Sequence, residues 1–159
     1  MKIRSKFLVV SLSALALALP VAAKVIEVKS EKEARNAVEN RKALFTLMKD
    51  NMGPLGAMAR GKIPYDEAVL QTNSLRLQQL GDMMYDYLLV DTRKFDVNSH
   101  AKPALWENVS DAEEKIDGFK KAANNLGRVV AAGDDSQYRN AIGQVGSACK
   151  ACHDDYKDD

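Results

Sequence analysis

Four stretches of this sequence repeat apolar residues at steps of three and four, a spacing that lines one face of a helix and not of a strand. The first runs through Ala34, Val38, Phe45, Met48, Met52 and Leu55. The second takes Leu70, Asn73, Leu77, Leu80 and Met84, and the third takes Ile116, Phe119, Ala123, Leu126 and Val130. The last holds Tyr138, Ile142, Val145, Cys149, Cys152 and Tyr156. Each stripe is narrow, so each helix must bury one face against the others. Joined mostly by short connections, such helices pack as an antiparallel four-helix bundle. The fold class is all-α, and nothing in the chain reads as a pair of strands.

Local signals place the boundaries. Gly53-Pro54 interrupts the first stripe and predicts a kink there, with Gly61 as the stop, giving a helix of about two dozen residues. Pro64-Tyr65-Asp66-Glu67 reads as a turn into an N-cap. From about Leu89 to Trp106 the periodicity fails, leaving a long connection that carries Asp91, Thr92, His100 and Pro103. Ser110-Asp111-Ala112-Glu113 has the form of a capping box opening the third helix. Gly133 closes that helix, and Asp134-Asp135-Ser136 offers caps for the fourth. Lys24 to Ser30 is short and polar and is expected to be loosely held.

The first 23 residues are set apart. Lys2, Arg4 and Lys6 precede an apolar run from Phe7 to Leu19, and Val21-Ala22-Ala23 supplies small residues for cleavage. This is the pattern of a secretory signal peptide, too short and wrongly flanked for a membrane anchor. Cleavage after Ala23 leaves residues 24–159 as one domain and takes the formal net charge from +1 to −2. The expected product is exported and faintly acidic, without the basic patch that nucleic acid demands and without a membrane segment.

Against that background, Cys149-Lys150-Ala151-Cys152-His153 is the chemically informative stretch. Two thiols three residues apart can add to the two vinyl groups of one haem, and the histidine that follows is placed to ligate the iron. A disulfide between these cysteines would close a trivial loop and add little stability. A thioredoxin-type pair belongs at the start of a helix after a strand, whereas this pair lies late in a helix. A zinc site needs a fourth ligand, and the only other histidine is His100. Export agrees with haem, which is attached outside the cytoplasm. Cys149 and Cys152 also fall on the inward stripe, with His153 at its margin, so the haem is expected to be buried between the fourth helix and its neighbours. Iron's sixth position then separates a closed electron carrier from an open gas binder, and a methionine would close it. Met48, Met52, Met58, Met83 and Met84 are available, though stripe methionines more often fill gaps in a core.

Several segments together resemble the cytochrome c prime family, the class II c-type cytochromes. They are Arg41-Lys42 ahead of Met48, Gly53-Pro54-Leu55 with Ala57-Met58, and Gly61 with Pro64-Tyr65-Asp66. Ala101-Lys102-Pro103-Ala104-Leu105-Trp106 and Ser147 to Tyr156 complete the set. The resemblance implies an up-down-up-down bundle, a homodimer, and one haem c per subunit near the C-terminal helix. It also implies that Phe45, four residues after Arg41, faces the open side of the iron. Phenylalanine cannot ligate iron, so the expectation is a five-coordinate, high-spin haem that admits nitric oxide or carbon monoxide. Arg41 and Lys42 are placed near the haem propionates, with Lys42 standing where glutamine is often found. His100 falls near the haem edge, a solvated loop histidine being its competing reading. Lys157 stands where some members carry arginine, and the acidic tail Asp154, Asp155, Asp158 and Asp159 reads as a solvated end.

Two functions follow from these residues. One is a periplasmic haem protein that binds small gases and can transfer one electron; the alternative is a low-spin electron-transfer cytochrome with a methionine sixth ligand, serving periplasmic redox partners. Enzymatic turnover is not expected, since no general acid, base or oxyanion arrangement stands beside the motif.

Overall fold

The computed structural model describes residues 24–158; the expected signal peptide lies outside them. Four long helices carry the four stripes: α1 (Glu31–Ala59), α2 (Glu67–Asp82), α5 (Val109–Ala131) and α6 (Asp135–Tyr156). Two short helices, α3 (Met84–Leu88) and α4 (Ala104–Glu107), occupy the connection between α2 and α5. Each long helix packs on two others, α1 on α2 and α6, and α5 on α2 and α6. That closed ring is a four-helix bundle in which consecutive long helices are neighbours.

The stripes account for the core. Ala34, Val38, Met48 and Leu55 of α1 are buried, as are Leu70 and Leu77 of α2, Ile116 and Leu126 of α5, and Ile142 and Val145 of α6. Asn73, a polar residue on the second stripe, is buried as well. Its side-chain amide donates to the Asn51 carbonyl at 3.0 Å, which satisfies it inside the bundle.

Helix ends follow local chemistry in most places. Ser30 caps α1 by accepting from the Glu33 N–H, and Asp66 caps α2 by accepting from the Val69 N–H at 3.0 Å. Gly61 and Gly133 take φ of 68° and 66°, a conformation that glycine adopts without steric cost. They end α1 and α5 in the same way. The Lys62 N–H reaches the Ala57 carbonyl and the Gly61 N–H the Met58 carbonyl, while Asp134 and Gly133 reach Val129 and Val130.

Several expectations are corrected. α1 is one helix of 29 residues, longer than the two dozen expected, although it runs through Gly53-Pro54 to a stop at Gly61 as the sequence predicts. Lys24 to Ser30 is not loose: β1 (Ile26–Glu27) pairs in parallel with β2 (Val90–Asp91), and Val28 is buried. A strand pair therefore exists, too short to leave an alternating pattern. The second stripe is broken at Met83, where the chain steps into α3 through N–H bonds from Met83 to Leu80 and from Asp86 to Met83. Ser110 is not a cap, because α5 begins at Val109 and its N-cap residue Asn108 makes no side-chain bond. Only Asn108 separates α4 from α5, so the chain is already turning when it reaches Ser110. Asp134 is the N-cap of α6, but its carboxylate takes the Ser136 hydroxyl at 2.6 Å and makes no cap bond to the helix backbone.

Replacing Asp66 with alanine frees the Val69 N–H and is expected to cost about 1 kcal/mol. Urea unfolding should show a lower midpoint at unchanged slope, and an unchanged midpoint would remove Asp66 from the capping role.

Candidate haem site

Buried side chains divide into two apolar clusters, and the Cys-x-x-Cys-His segment lies at their seam. The larger fills the bundle, with Cys149 and Phe45 packed against it. The smaller comprises Leu105, Trp106, Ala112 and Tyr156, with Val25, Ala101, Ala104 and Cys152 packed against it. Two residues of helix separate the two cysteines, a step of less than one turn, yet one thiol faces each cluster. Between the clusters is a cavity of about 580 Å³, within the usual range for a bound cofactor.

Six parts of the chain build its wall. Val38, Arg41, Lys42, Phe45, Met48 and Lys49 come from α1, and Met84 and Leu88 from α3. Ser99, His100 and Ala101 supply the connection side, while Leu105 comes from α4. Lys115 and Phe119 of α5 complete it with Ala148, Cys149, Cys152, His153 and Tyr156 of α6, and Lys157 follows at the rim. Every charged lining residue is basic, so the pocket joins apolar walls to cationic side chains, exposed at Lys42, Lys49 and Lys157 and buried at Arg41.

Cys149 and Cys152 are free thiols, half-buried and not fully inside as expected. Burial pushes both above the ordinary thiol range, Cys152 to about 11 despite the Lys115 ammonium, so both stay protonated at neutral pH. His153 is exposed, since it sits past the margin of the inward stripe. Desolvation first, and Lys157 next, hold its pKa below the usual histidine value against the pull of Asp154. The imidazole is thus neutral at pH 7, the form that binds a metal. Its ring meets that of Phe45 edge to face, with centroids 6.2 Å apart at 75°.

Arg41 is the best-anchored cation here, only 6% exposed. It donates to the Tyr87 carbonyl at 3.3 Å, the Val90 carbonyl at 2.8 Å and the Ser99 hydroxyl at 3.3 Å. Its guanidinium lies 5.1 Å from the Trp106 ring centre, and that of Arg93 lies 5.7 Å from it. Burial lowers the Arg41 pKa to about 10, with Asp91 opposing the shift, so it remains charged. Lys42 is exposed and donates to the Asn98 carbonyl at 2.8 Å. His100 is exposed on the loop rim.

Asp154, Asp155 and Asp158 are exposed, as a solvated end requires, and Asp159 lies outside the described residues, but the tail is also tied to the rest of the chain. An antiparallel bridge joins Ala101 to Lys157, and the Asp158 N–H donates to the His100 carbonyl at 2.9 Å. Asp155 pairs with Lys115 at 2.8 Å, and Asp154 with Lys150 at 2.5 Å. Trp106 and Lys115 are the residues that sequence reasoning passed over. The lone tryptophan in an aperiodic connection was the available signal for a buried anchor, its indole N–H donating to the Leu88 carbonyl at 3.0 Å. No local pattern marked Lys115.

A paired thiol, a neutral imidazole, apolar walls and a cationic rim suit a flat apolar macrocycle bearing iron and carboxylates. The class that these features define is a c-type haem protein on a four-helix bundle. Residues 36–157 match the family Cytochrome C'. A cytochrome c' of Cereibacter sphaeroides is 35% identical over 150 residues, spanning 93% of this chain and 96% of that protein. The solved cytochrome c prime from Shewanella frigidimarina aligns with a TM-score of 0.74 at 31% identity, covering 82% of this chain and 100% of that one. A ferrous variant of the Alcaligenes xylosoxidans protein with bound NO aligns at 0.71 and 30% identity, covering 79% and 96%. The chain belongs to the cytochrome c' family, whose cofactor is covalently attached haem c.

Arg41→Met should lose about 2 kcal/mol by leaving the Tyr87 and Val90 carbonyls unpaired, whereas Lys42→Met on the exposed rim should lose less than about 0.5 kcal/mol. Equal losses in chemical denaturation would contradict the anchoring assigned to Arg41.

Proposed function

We propose that this protein is a periplasmic haem protein whose iron has one protein ligand and takes small uncharged gases, nitric oxide and carbon monoxide, on its other side. It also passes single electrons, and it turns over no substrate. Cys149 and Cys152 would hold the haem by thioethers, each thiol adding across one vinyl group, and His153 would supply a nitrogen to its iron. When bound, the haem would supply an iron that changes charge by one electron and can take a diatomic ligand. The export pattern of residues 1–23 supports the location. Among the described residues no helix is long and apolar enough to cross a membrane.

Phe45 carries the reading. Its ring lines the same cavity as His153 and reaches within 6.2 Å of the imidazole, centre to centre. It offers iron no donor atom and presents bulk to anything that enters. Small gases fit such a space, while larger or hydrated anions lose their water and gain only apolar contact. The nitric oxide seen on the Alcaligenes xylosoxidans relative agrees with this use of the site. Lys42 and His100, with the remaining donors of Arg41, sit at the rim where propionates would be met. A homodimer is part of the same proposal, and exposed Leu47 of α1 and Leu75 of α2 offer apolar surface for it.

The low-spin alternative has a foothold, because Met48 and Met84 also line the cavity. Both are packed into the main core, at 6% and 3% exposure, and bringing either sulfur to iron would empty its place there. Phe45, half-buried, is the freer side chain.

Absorption spectra of the reduced protein test the proposal. A high-spin spectrum that changes on adding carbon monoxide or nitric oxide is expected; a low-spin methionine–histidine spectrum unmoved by either would overturn it. Phe45→Ala should raise the carbon monoxide association rate about tenfold, as relief of about 1.4 kcal/mol of crowding would. Phe45→Met should instead shift the reduced protein toward the low-spin form.

A further inference from the structure

The His153 ring makes no hydrogen bond among the described residues. Ligating histidines are ordinarily oriented by an acceptor on their second nitrogen. Here the ring has the edge-to-face contact with Phe45 and the backbone turn that carries the residue, and that turn is held from two directions. On the α5 side, the Tyr156 hydroxyl donates to the Asp111 carboxylate. Lys115 bridges its neighbours, with Nζ 2.8 Å from Asp155 and 3.6 Å from Asp111. On the connection side, the Lys102 N–H donates to the Tyr156 carbonyl and the Asp158 N–H to the His100 carbonyl, both at 2.9 Å.

We propose that Asp111 and Lys115, acting through Asp155 and Tyr156, are positioning residues that clamp the last turn of α6 and so set where the His153 imidazole meets the iron. The inference rests on His153 being the axial ligand. Backbone bonds on the connection side persist in any side-chain variant, so the turn stays helical. The α5 contacts are the adjustable half. Asp111 and Asp155 are more than half exposed, at 52% and 55%, so their ion pairs with Lys115 add little to global stability. Their convergence on two consecutive residues, just after His153, restricts the pitch of that one turn. With no acceptor on the ring, a shift of the turn passes directly to the imidazole. Loosening the clamp gives the iron–histidine bond a wider range of geometries and makes His153 easier to displace.

The experiment is resonance Raman spectroscopy of the reduced holoprotein, reading the iron–histidine stretching band. His153→Ala must abolish the band; if it does not, the ligand assignment itself fails and the clamp with it. With that established, Lys115→Met and Tyr156→Phe are each expected to broaden the band and move it to lower frequency. Both should also speed loss of the band on adding nitric oxide by about fivefold, the scale of one exposed ion pair. Lys115→Arg should restore the native band. Lys121→Met, an exposed cation on the same helix with no part in the clamp, serves as control and should leave it untouched. A band unmoved in both Lys115→Met and Tyr156→Phe, or moved equally in Lys121→Met, overturns the proposal whatever the unfolding midpoints.

Discussion

A buried guanidinium holds the cavity open. Arg41 projects from α1 into a region with almost no water, where a cation persists only if nearby acceptors replace its hydration. Carbonyls of Tyr87 and Val90 do so, and both belong to the connection that must cross the top of the bundle. By bonding to them, Arg41 fixes that connection at a distance from α1, and Trp106 packs against the same charge. The aperiodic stretch becomes a wall, and β1 reinforces it from outside by pairing with β2.

Bundle cores normally close completely, because every unfilled volume forfeits packing energy. Here the end near the C-terminus of α6 leaves about 580 Å³ between two apolar clusters. Cys149 borders one and Cys152 the other. A group linked to both thiols would therefore join the clusters and complete a single core, so attachment and folding stability reinforce one another. Basic lining side chains, exposed at Lys42, Lys49 and Lys157 and buried at Arg41, match a group that is apolar in its plane and anionic at one edge.

Legibility varied with the range of the interaction. Ala34, Val38, Ile116 and Ile142 were recognisable as core because helical burial repeats within one turn. The stops at Gly61 and Gly133 and the cap at Asp66 depend on bonds that span only a few residues. Ser110 misled, because a capping box describes a helix entered from an extended chain and α4 delivers the chain already coiled. The β1–β2 pair escaped notice, since two-residue strands repeat nothing and their partners are more than sixty residues apart. Lys115 was invisible as a site residue for the same reason: it matters through a partner distant in sequence, Asp155.

From the residues by themselves came the four helices, the faces they bury, and the pairing of two thiols with a histidine on one short segment. All of these follow from local geometry and local chemistry, which the order of residues carries directly. Tertiary structure alone decided that the segment straddles two clusters, that Phe45 of α1 stands beside His153 of α6, and that the last turn is clamped to α5. Those depend on how helices far apart in the chain are set against one another. That arrangement comes from packing summed over the whole core, and no single stretch of sequence contains it.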